Sequence, residues 1–184
     1  MGNRLTAGHA FPALHARTIH GQELAIPHPG HWVHLQFRRF AGCPVCNLHL
    51  QAFVRRHTEI AGAGVEEVVV FHSTDAELLP YQGKFPFAVI GDPEKELYKR
   101  YGVETSVAAI LNPAAWGAAL KGNLAKDKPK LPLAPNGGIL GLPADFLVAP
   151  DGMLRFAHYG AHADDHWSVE EVVRLKLQAS QAGA

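Results

Sequence analysis

The sequence has little cysteine, no net charge and no long apolar run. Two cysteines occur among 184 residues, too few for the disulfide framework of a small secreted domain. Seventeen basic residues balance seventeen acidic ones, so no overall field favours nucleic acid or an anionic membrane surface. The longest apolar stretches, such as GVEEVVVF, are far shorter than the roughly 20 residues of a membrane-spanning helix. We therefore expect neither a nucleic-acid nor a membrane partner.

A secretory signal is also lacking. The stretch MGNRLTAGHAFPALHA contains no apolar core followed by a small-residue cleavage site, so we expect a cytoplasmic protein. In the reducing cytosol a C-x-x-C pair is more often catalytic or metal-binding than structural. With 47% hydrophobic and 18% charged residues, the chain can bury one ordinary core, which predicts a single domain over residues 1–184.

Strand and helix patterns alternate along the chain. The first half reads as a hairpin turning at His20-Gly21, a strand in HWVHLQFRRF, a helix from Pro44 to Ala61, a strand in VEEVVVF and a short helix interrupted near Pro80. The second half reads as a strand in PFAVIGDP, a helix in PEKELYKRYGV, a helical and loop insertion at about 104–142, a hairpin turning at Asp151-Gly152 and a helix capped by Ser168. This order predicts an α/β fold whose central mixed sheet is flanked by helices.

The two cysteines lie three positions apart in RRFAGCPVCNLHL, between the second predicted strand region and the first long helix. Proline is favoured at the first helical position, so the helix is predicted to begin at Pro44, directly after Cys43. A helix N-terminus lowers the pKa of a thiol. Cys46 is one turn further along, within reach of a sulfenic acid or mixed disulfide on Cys43. This spacing predicts Cys43 as the attacking thiol and Cys46 as the resolving thiol.

Two other interpretations of the cysteines stay open on the sequence alone. Free cysteine is among the most buried residue types, so both thiols can simply pack in the core. Alternatively, Cys43, Cys46 and His49 form C-x-x-C-x-x-H, and His72 or His158 would complete a zinc or copper site. In that case the chain would be a metal-binding protein or a non-enzymatic binding module.

The sequence resembles the peroxiredoxin-like branch of the AhpC/TSA superfamily, whose members have a thioredoxin-like fold. The resemblance runs from FPALHARTIHGQELAI to DFLVAPDGMLRFAHYG. Its most specific segments are R-R-F-x-G-C-P-V-C, the F-L-V-x-P-D-G that ends at Gly152, and the R-F-A-H that follows. The insertion containing AAWGAALKGNL is also similar to that branch.

The resemblance implies a thiol oxidoreductase that reduces peroxides or disulfides through Cys43 and Cys46. It implies a reductant such as thioredoxin or glutathione, allows a homodimer, and requires neither an organic cofactor nor a metal. Pro143, ahead of the strand ADFLV, resembles the cis-proline that faces the active cysteine in thioredoxin folds. Alternation along the strand lets at most one of the two preceding arginines reach the thiols. We predict that Arg39, Pro44 and Pro143 border the substrate site.

One pattern of peroxiredoxins is not kept in this chain. Their P-x-x-x-[ST]-x-x-C motif places a hydroxyl three residues before the reactive cysteine. Counting back from Cys43 gives Phe40 and Gln36, and counting back from Cys46 gives Cys43 and Arg39. The sequence therefore predicts dithiol chemistry but does not choose between a peroxide and a disulfide as the oxidant.

Overall fold

The N-terminal part of the chain is a β-hairpin, as predicted. The structure is a computed structural model that describes residues 4–103 and 141–182. Strand β1 (Leu14–Arg17) pairs antiparallel with β2 (Glu23–Ile26). Gly21 has a φ of 79° in the intervening turn, a conformation that glycine adopts without steric cost. Leu14 and Ile26 are buried, so the hairpin packs by one face on the rest of the molecule.

A mixed five-stranded sheet forms the centre of the fold, in the order β5-β4-β3-β6-β7. Its strands are β3 (Trp32–Arg38), β4 (Val65–Phe71), β5 (Ala88–Gly91), β6 (Ala144–Val148) and β7 (Leu154–Tyr159). The first three are mutually parallel, whereas β6 runs antiparallel to β3 and β7 antiparallel to β6. The predicted fold class is confirmed.

Helices and the hairpin cover both faces of this sheet. The described helices are α1 (Pro44–Arg55), α2 (His57–Gly62), α3 (Asp75–Gln82), α4 (Glu96–Arg100) and α5 (Val169–Ala182). On one face, the hairpin and the α4 region pack on β3 and β6 through Phe11, Tyr98 and Tyr101. On the other face, Phe53 of α1 packs with the start of α5. None of the described helices is long and apolar enough to cross a membrane.

Three helices differ from the predicted ones. The helix that begins at Pro44 breaks at Arg56, whose φ of −107° and ψ of 16° separate α1 from α2. Helix α3 continues through Pro80 instead of being interrupted, although the proline removes one hydrogen bond; a capping box of Thr74 and Glu77 satisfies N–H groups at its start. Helix α4 is shorter than predicted because Lys95 is left-handed, with a φ of 58°.

The predicted insertion at about 104–142 lies outside the described residues except for its last two positions. The segment that follows it is the predicted hairpin. Strands β6 and β7 pair antiparallel around Asp151 and Gly152, and Gly152 has a φ of 83°. At the other end of β7, the N–H of Gly160 donates to the carbonyl of Pro143, which closes the hairpin.

We expect Gly160→Ala to lower the free energy of unfolding by about 1–3 kcal/mol, the usual cost of overpacking. A Cβ at this position would lie 2.3 Å from the carbonyl oxygen of Asp165 and 2.7 Å from Cγ of Pro143. Gly62→Ala is the matched control, since a Cβ there would meet nothing within 4 Å. Urea titration measures both changes, and equal stability of the two variants would contradict the close approach.

Candidate redox site

Both cysteines lie at the start of α1. Gly42, with a φ of 71°, turns the chain out of the β3 region, and Cys43 is the N-cap residue. Pro44 follows in the first helical position, as predicted. The backbone N–H of Cys46 points back to Sγ of Cys43 at 3.5 Å, so the Cys43 sulfur caps one of the free N–H groups of the helix. The exposed fractions of Cys43 and Cys46 are 1% and 2%.

The two sulfur atoms are 2.9 Å apart, and both thiols are free. A disulfide bond is about 2.05 Å long, so the sulfurs are neighbours that share a hydrogen but no covalent bond. Apolar side chains surround them, namely Phe40, Val45, Leu50, Phe71 and Val89 among others. The predicted attacking and resolving thiols are thus in contact with each other in a buried, largely apolar environment.

Ionisation belongs to the pair of thiols, because they are hydrogen-bonded to each other. Burial raises the pKa of Cys46, but the hydrogen bond with Cys43 and the charge of Arg39 outweigh it and lower this pKa to about 7. Burial and the same hydrogen bond raise the pKa of Cys43 well above its usual value. The first thiolate of the pair therefore forms close to neutral pH, and the second thiol stays protonated.

The contacts of the two sulfurs do not assign that first charge to one atom. Sγ of Cys43 accepts the N–H of Cys46 at the helix N-terminus, whereas Cys46 is stabilised by a backbone hydrogen bond from Arg39. Each sulfur thus has one backbone donor in addition to the other thiol. That Cys43 is the attacking thiolate stays a prediction.

The two arginines before the cysteines point in different directions, as strand alternation predicts. Arg38 is buried, while Arg39 is half-buried with its guanidinium 5.3 Å from the centre of the Phe40 ring. Arg39 is the stronger positive influence on Cys46, and Arg38 contributes less. The structure therefore brings Arg39 and Pro44 together with the two cysteines.

The prediction that Pro143 is a cis-proline is wrong. Among the described residues, the cis peptide bond precedes Pro27, so the bond before Pro143 is trans. Pro143 leads directly into β6, and its carbonyl accepts the N–H of Gly160 at 2.9 Å. The trans bond keeps Pro143 in line with the hairpin, where its ring lies against Gly160.

A buried polar cluster lies on the face of β3 that α1 covers. Arg38 is its centre: Nη2 donates to Oδ1 of Asp145 at 2.6 Å and to Oε1 of Gln36 at 2.7 Å. His34 bridges the carboxylates of Asp145 and Glu67, at 3.1 and 2.8 Å. All five side chains are at most 1% exposed. We call these residues, Arg38, His34, Gln36, Glu67 and Asp145, the polar cluster.

The polar cluster balances two basic side chains against two acidic ones. Burial opposes charge on His34, but the neighbouring Glu67 and the hydrogen bonds to Asp145 and Glu67 raise its pKa to about 9. Burial would raise the pKa of Asp145, yet Arg38 and His34 hold it well below its usual range. Buried charges are retained at low cost only when they are paired and hydrogen-bonded in this way.

His49 connects helix α1 to the polar cluster. Its Nε2 accepts a hydrogen bond from Nη2 of Arg38 at 3.1 Å, and its ring centre is 3.5 Å from that of His166. Burial and the charge of Arg38 lower the pKa of His49 well below its usual value. His49 is therefore a neutral acceptor for Arg38.

The zinc or copper site is not assembled. Within residues 4–103 and 141–182, no group of three metal-ligating side chains includes Cys43 or Cys46. His49 is bound to Arg38, His158 contacts Asp165 at 2.9 Å, and His72 packs against the ring of Tyr98. The alternative interpretation, a metal bound by the cysteines and these histidines, therefore has no assembled ligand set among the described residues.

Sequence reasoning missed the polar cluster, although β3 carries a signal for it. His34, Gln36 and Arg38 alternate with apolar residues, which is the usual pattern of a strand with one solvated face. Here α1 and the start of α5 cover that face, so the polar side chains are buried. The alternation predicts that the three polar side chains share one face of β3, but their burial follows only from the helices that cover this face.

Comparison with known proteins identifies the family. The model of the AhpC/TSA antioxidant enzyme family matches residues 50–162. The chain belongs to this family. No curated protein matches it. The matched range begins after both cysteines, so it identifies the scaffold of this AhpC/TSA protein and does not by itself include its thiols.

Solved peroxiredoxin structures share the fold. A cysteine-to-serine mutant of peroxiredoxin 6 of Arenicola marina aligns with a TM-score of 0.70 at 17% identity, over 97% of this chain and 75% of that one. The reduced 2-Cys peroxiredoxin of Plasmodium vivax gives 0.68 at 16%, over 96% and 98%. AhpC of Mycobacterium tuberculosis gives 0.65 at 18%, over 98% and 96%. These matches confirm the thioredoxin-like, peroxiredoxin-like fold.

We expect the thiolate absorbance of the reduced wild-type protein to rise in two steps, the first near pH 7. Cys43→Ala removes the hydrogen-bonding partner of the Cys46 sulfur while Cys46 stays buried, so the remaining step should move upward from pH 7. The Cys43→Ser/Cys46→Ser double variant supplies the tyrosine background. An unchanged midpoint in Cys43→Ala would contradict the role of the shared hydrogen bond.

We expect His34 to make stability depend on pH. Its pKa rises from 6.5 to about 9 on folding, so its stabilising contribution is complete below pH 6.5 and is lost as the pH rises through 9. The loss is on the order of 3 kcal/mol. Urea titrations across this range measure it.

The parent protein for that experiment is the Cys43→Ser/Cys46→Ser variant. Ionisation of the thiol pair also changes the stability of the folded protein, over a pH range that overlaps that of His34. His34→Gln should flatten the pH dependence. His15→Gln, at an exposed position on β1, should retain it. A parent protein whose stability is constant between these pH values would contradict the charged state of His34.

Proposed function

We propose that this AhpC/TSA protein is a thiol-dependent oxidoreductase that uses Cys43 and Cys46 as a redox dithiol to reduce peroxides or disulfides. The observation that carries the proposal is the 2.9 Å contact between two free sulfurs at the N-terminus of α1. The family membership supports it, since the matched family is one of antioxidant enzymes. The lowered first pKa of the pair supports it too, because the thiolate is the reactive form.

With a hydroperoxide as oxidant, the Cys43 thiolate attacks the terminal oxygen and the O–O bond breaks. The leaving alkoxide or hydroxide takes a proton and departs as alcohol or water, while Cys43 becomes a sulfenic acid. The thiolate of Cys46 then attacks the sulfur of Cys43, water leaves, and the Cys43–Cys46 disulfide forms. With a disulfide as oxidant, the Cys43 thiolate displaces one thiolate of the substrate and forms a mixed disulfide. Cys46 then attacks the sulfur of Cys43, the second substrate thiolate leaves, and the Cys43–Cys46 disulfide forms.

An external thiol reductant must reduce the internal disulfide to complete the cycle. A thiolate of a thioredoxin-type protein, or of glutathione, attacks one of the two sulfurs; the second thiol of the thioredoxin-type protein, or a second glutathione molecule, then releases it. Both electrons then come from the reductant, and the two cysteines return to thiols. The reductant, the homodimer and the cytoplasmic location all remain part of the proposal.

The surroundings of Cys43 bear on the choice of oxidant. The residue three positions before it is Phe40, which is 4% exposed and packs with the thiols. A phenyl ring cannot donate a hydrogen bond to a peroxide, whereas the backbone N–H groups at the start of α1 and the guanidinium of Arg39 are donors close to the sulfurs. We propose Arg39 and Pro44 as the borders of the substrate site. Both oxidant classes stay within the proposal.

Intact-protein mass after a stoichiometric pulse of hydrogen peroxide tests the dithiol. The chain has no third cysteine, so the loss of two hydrogens from a monomer identifies the Cys43–Cys46 disulfide. Cys46→Ser should stop at a sulfenic acid on Cys43, trapped as its dimedone adduct. Cys43→Ser should react with hydrogen peroxide at least roughly tenfold more slowly than wild type, because it lacks the activated nucleophile.

The two single variants separate the roles of the sulfurs. If Cys43→Ser forms a sulfenic acid on Cys46 as fast as wild type loses its thiols, Cys46 is the attacker. If neither variant nor wild type reacts with peroxide, the same measurement with oxidised glutathione decides whether disulfides are the oxidant. Failure of both oxidants to form the internal disulfide would overturn the proposed function.

A further inference from the structure

A tight turn between β2 and β3 brings two histidines together. Its four residues are His28, Pro29, Gly30 and His31. Gly30 has a φ of 92°, and the N–H of His31 lies 3.4 Å from the carbonyl of His28. Proline in the second position and a left-handed glycine in the third are typical of a type II β-turn. The first and last residues of such a turn are neighbours, so its geometry dictates the pairing of the histidines.

The two imidazole rings of this turn approach each other through their Nδ1 atoms. Nδ1 of His28 is 3.2 Å from Nδ1 of His31, and the ring centres are 5.0 Å apart. Two nitrogens bound to one tetrahedral zinc at about 2.0–2.1 Å are separated by about 3.3 Å. The observed separation is therefore that of two ligands of a common ion, although the stacked rings must turn to direct both lone pairs at it.

A carboxylate completes the group. Glu66 lies on β4, where it pairs with Val33, two residues after the histidine turn. The ligand atoms of His28, His31 and Glu66 all lie within 4.8 Å of one another. His28 and Glu66 are half-buried and His31 is exposed. Glu66 also lines a groove of about 680 Å³ beside the hairpin, so solvent reaches this part of the surface.

We propose that His28, His31 and Glu66 form a binding site for a borderline divalent transition-metal ion of the Zn²⁺ class. Imidazole nitrogen with carboxylate oxygen is a ligand set that zinc accepts, and hard ions such as Mg²⁺ take oxygen ligands instead. Three protein ligands leave a coordination position for water or another small ligand. An ion bound here would link the turn between β2 and β3 to strand β4 of the central sheet.

The site is tested in the full-length Cys43→Ser/Cys46→Ser protein, so that zinc held by thiols does not contribute and the outcome is independent of the proposed redox function. Zn²⁺ is titrated against a chromogenic chelator. We expect one equivalent of Zn²⁺ per chain. His28→Ala, His31→Ala and Glu66→Gln should each weaken binding by at least tenfold, since even outer-shell partners of a metal are worth roughly 10–100-fold.

His15→Ala is the matched control, because it removes one exposed histidine on β1 and should leave binding unchanged. At a Zn²⁺ concentration that just saturates the parent, the melting temperature of the parent should rise by more than that of Glu66→Gln, whose side chain has nearly the same shape. Equal Zn²⁺ binding by His15→Ala and the three site variants would overturn the proposal. So would the absence of stoichiometric binding in the parent, which would leave the two imidazoles as a hydrogen-bonded pair.

Discussion

The buried ion pair between Arg38 and Asp145 holds the centre of this molecule together. It joins the adjacent strands β3 and β6 by a 2.6 Å hydrogen bond, and both side chains are at most 1% exposed. Removing one partner of such a pair typically costs about 3–5 kcal/mol, because the other charge is left buried and uncompensated. His34 and Glu67 extend the pair to β4, so three strands share one charge-balanced interior.

The same interactions position the helix on which both cysteines lie. His49 accepts a hydrogen bond from Arg38, which fixes the middle of α1 over the polar cluster. Five residues earlier, the helix begins at Pro44, with Cys43 as its cap. Arg38 also contributes to the lowered pKa of Cys46. The polar cluster thus acts on the thiols in two ways, through the placement of α1 and through its charge.

The family match and the thiol site supply different parts of the functional argument. The family model covers residues 50–162, which include the second half of α1 and the strands of the sheet that follow β3. The solved peroxiredoxins share the fold at 16–18% identity. The redox proposal therefore depends on the local chemistry of residues 39–46, where Phe40 stands in place of the usual hydroxyl and a second cysteine is present one turn into the helix.

Much of the fold was predictable from local patterns. Glycine turns marked both hairpins, Pro44 marked the start of α1, and the run of valines marked β4. Helix ends that depend on the backbone conformation of a single residue were not predictable. The helix that begins at Pro44 ends at Arg56, and α4 begins only after Lys95, whose backbone is left-handed. Pro80 was expected to interrupt α3, yet the helix continues through it to Gln82.

The sequence by itself determined the alternation of strands and helices, the pairing of Cys43 with Cys46 and their place at a helix N-terminus, because these follow from spacing along a regular backbone. Only the tertiary structure decided that Arg38 is buried, that Asp145 on another strand neutralises it, and that His49 accepts a hydrogen bond from Arg38. It also decided that the bond before Pro143 is trans. Arg38 and Asp145 are 107 positions apart in the chain, and the energy of a buried charge depends on which partners the fold brings beside it.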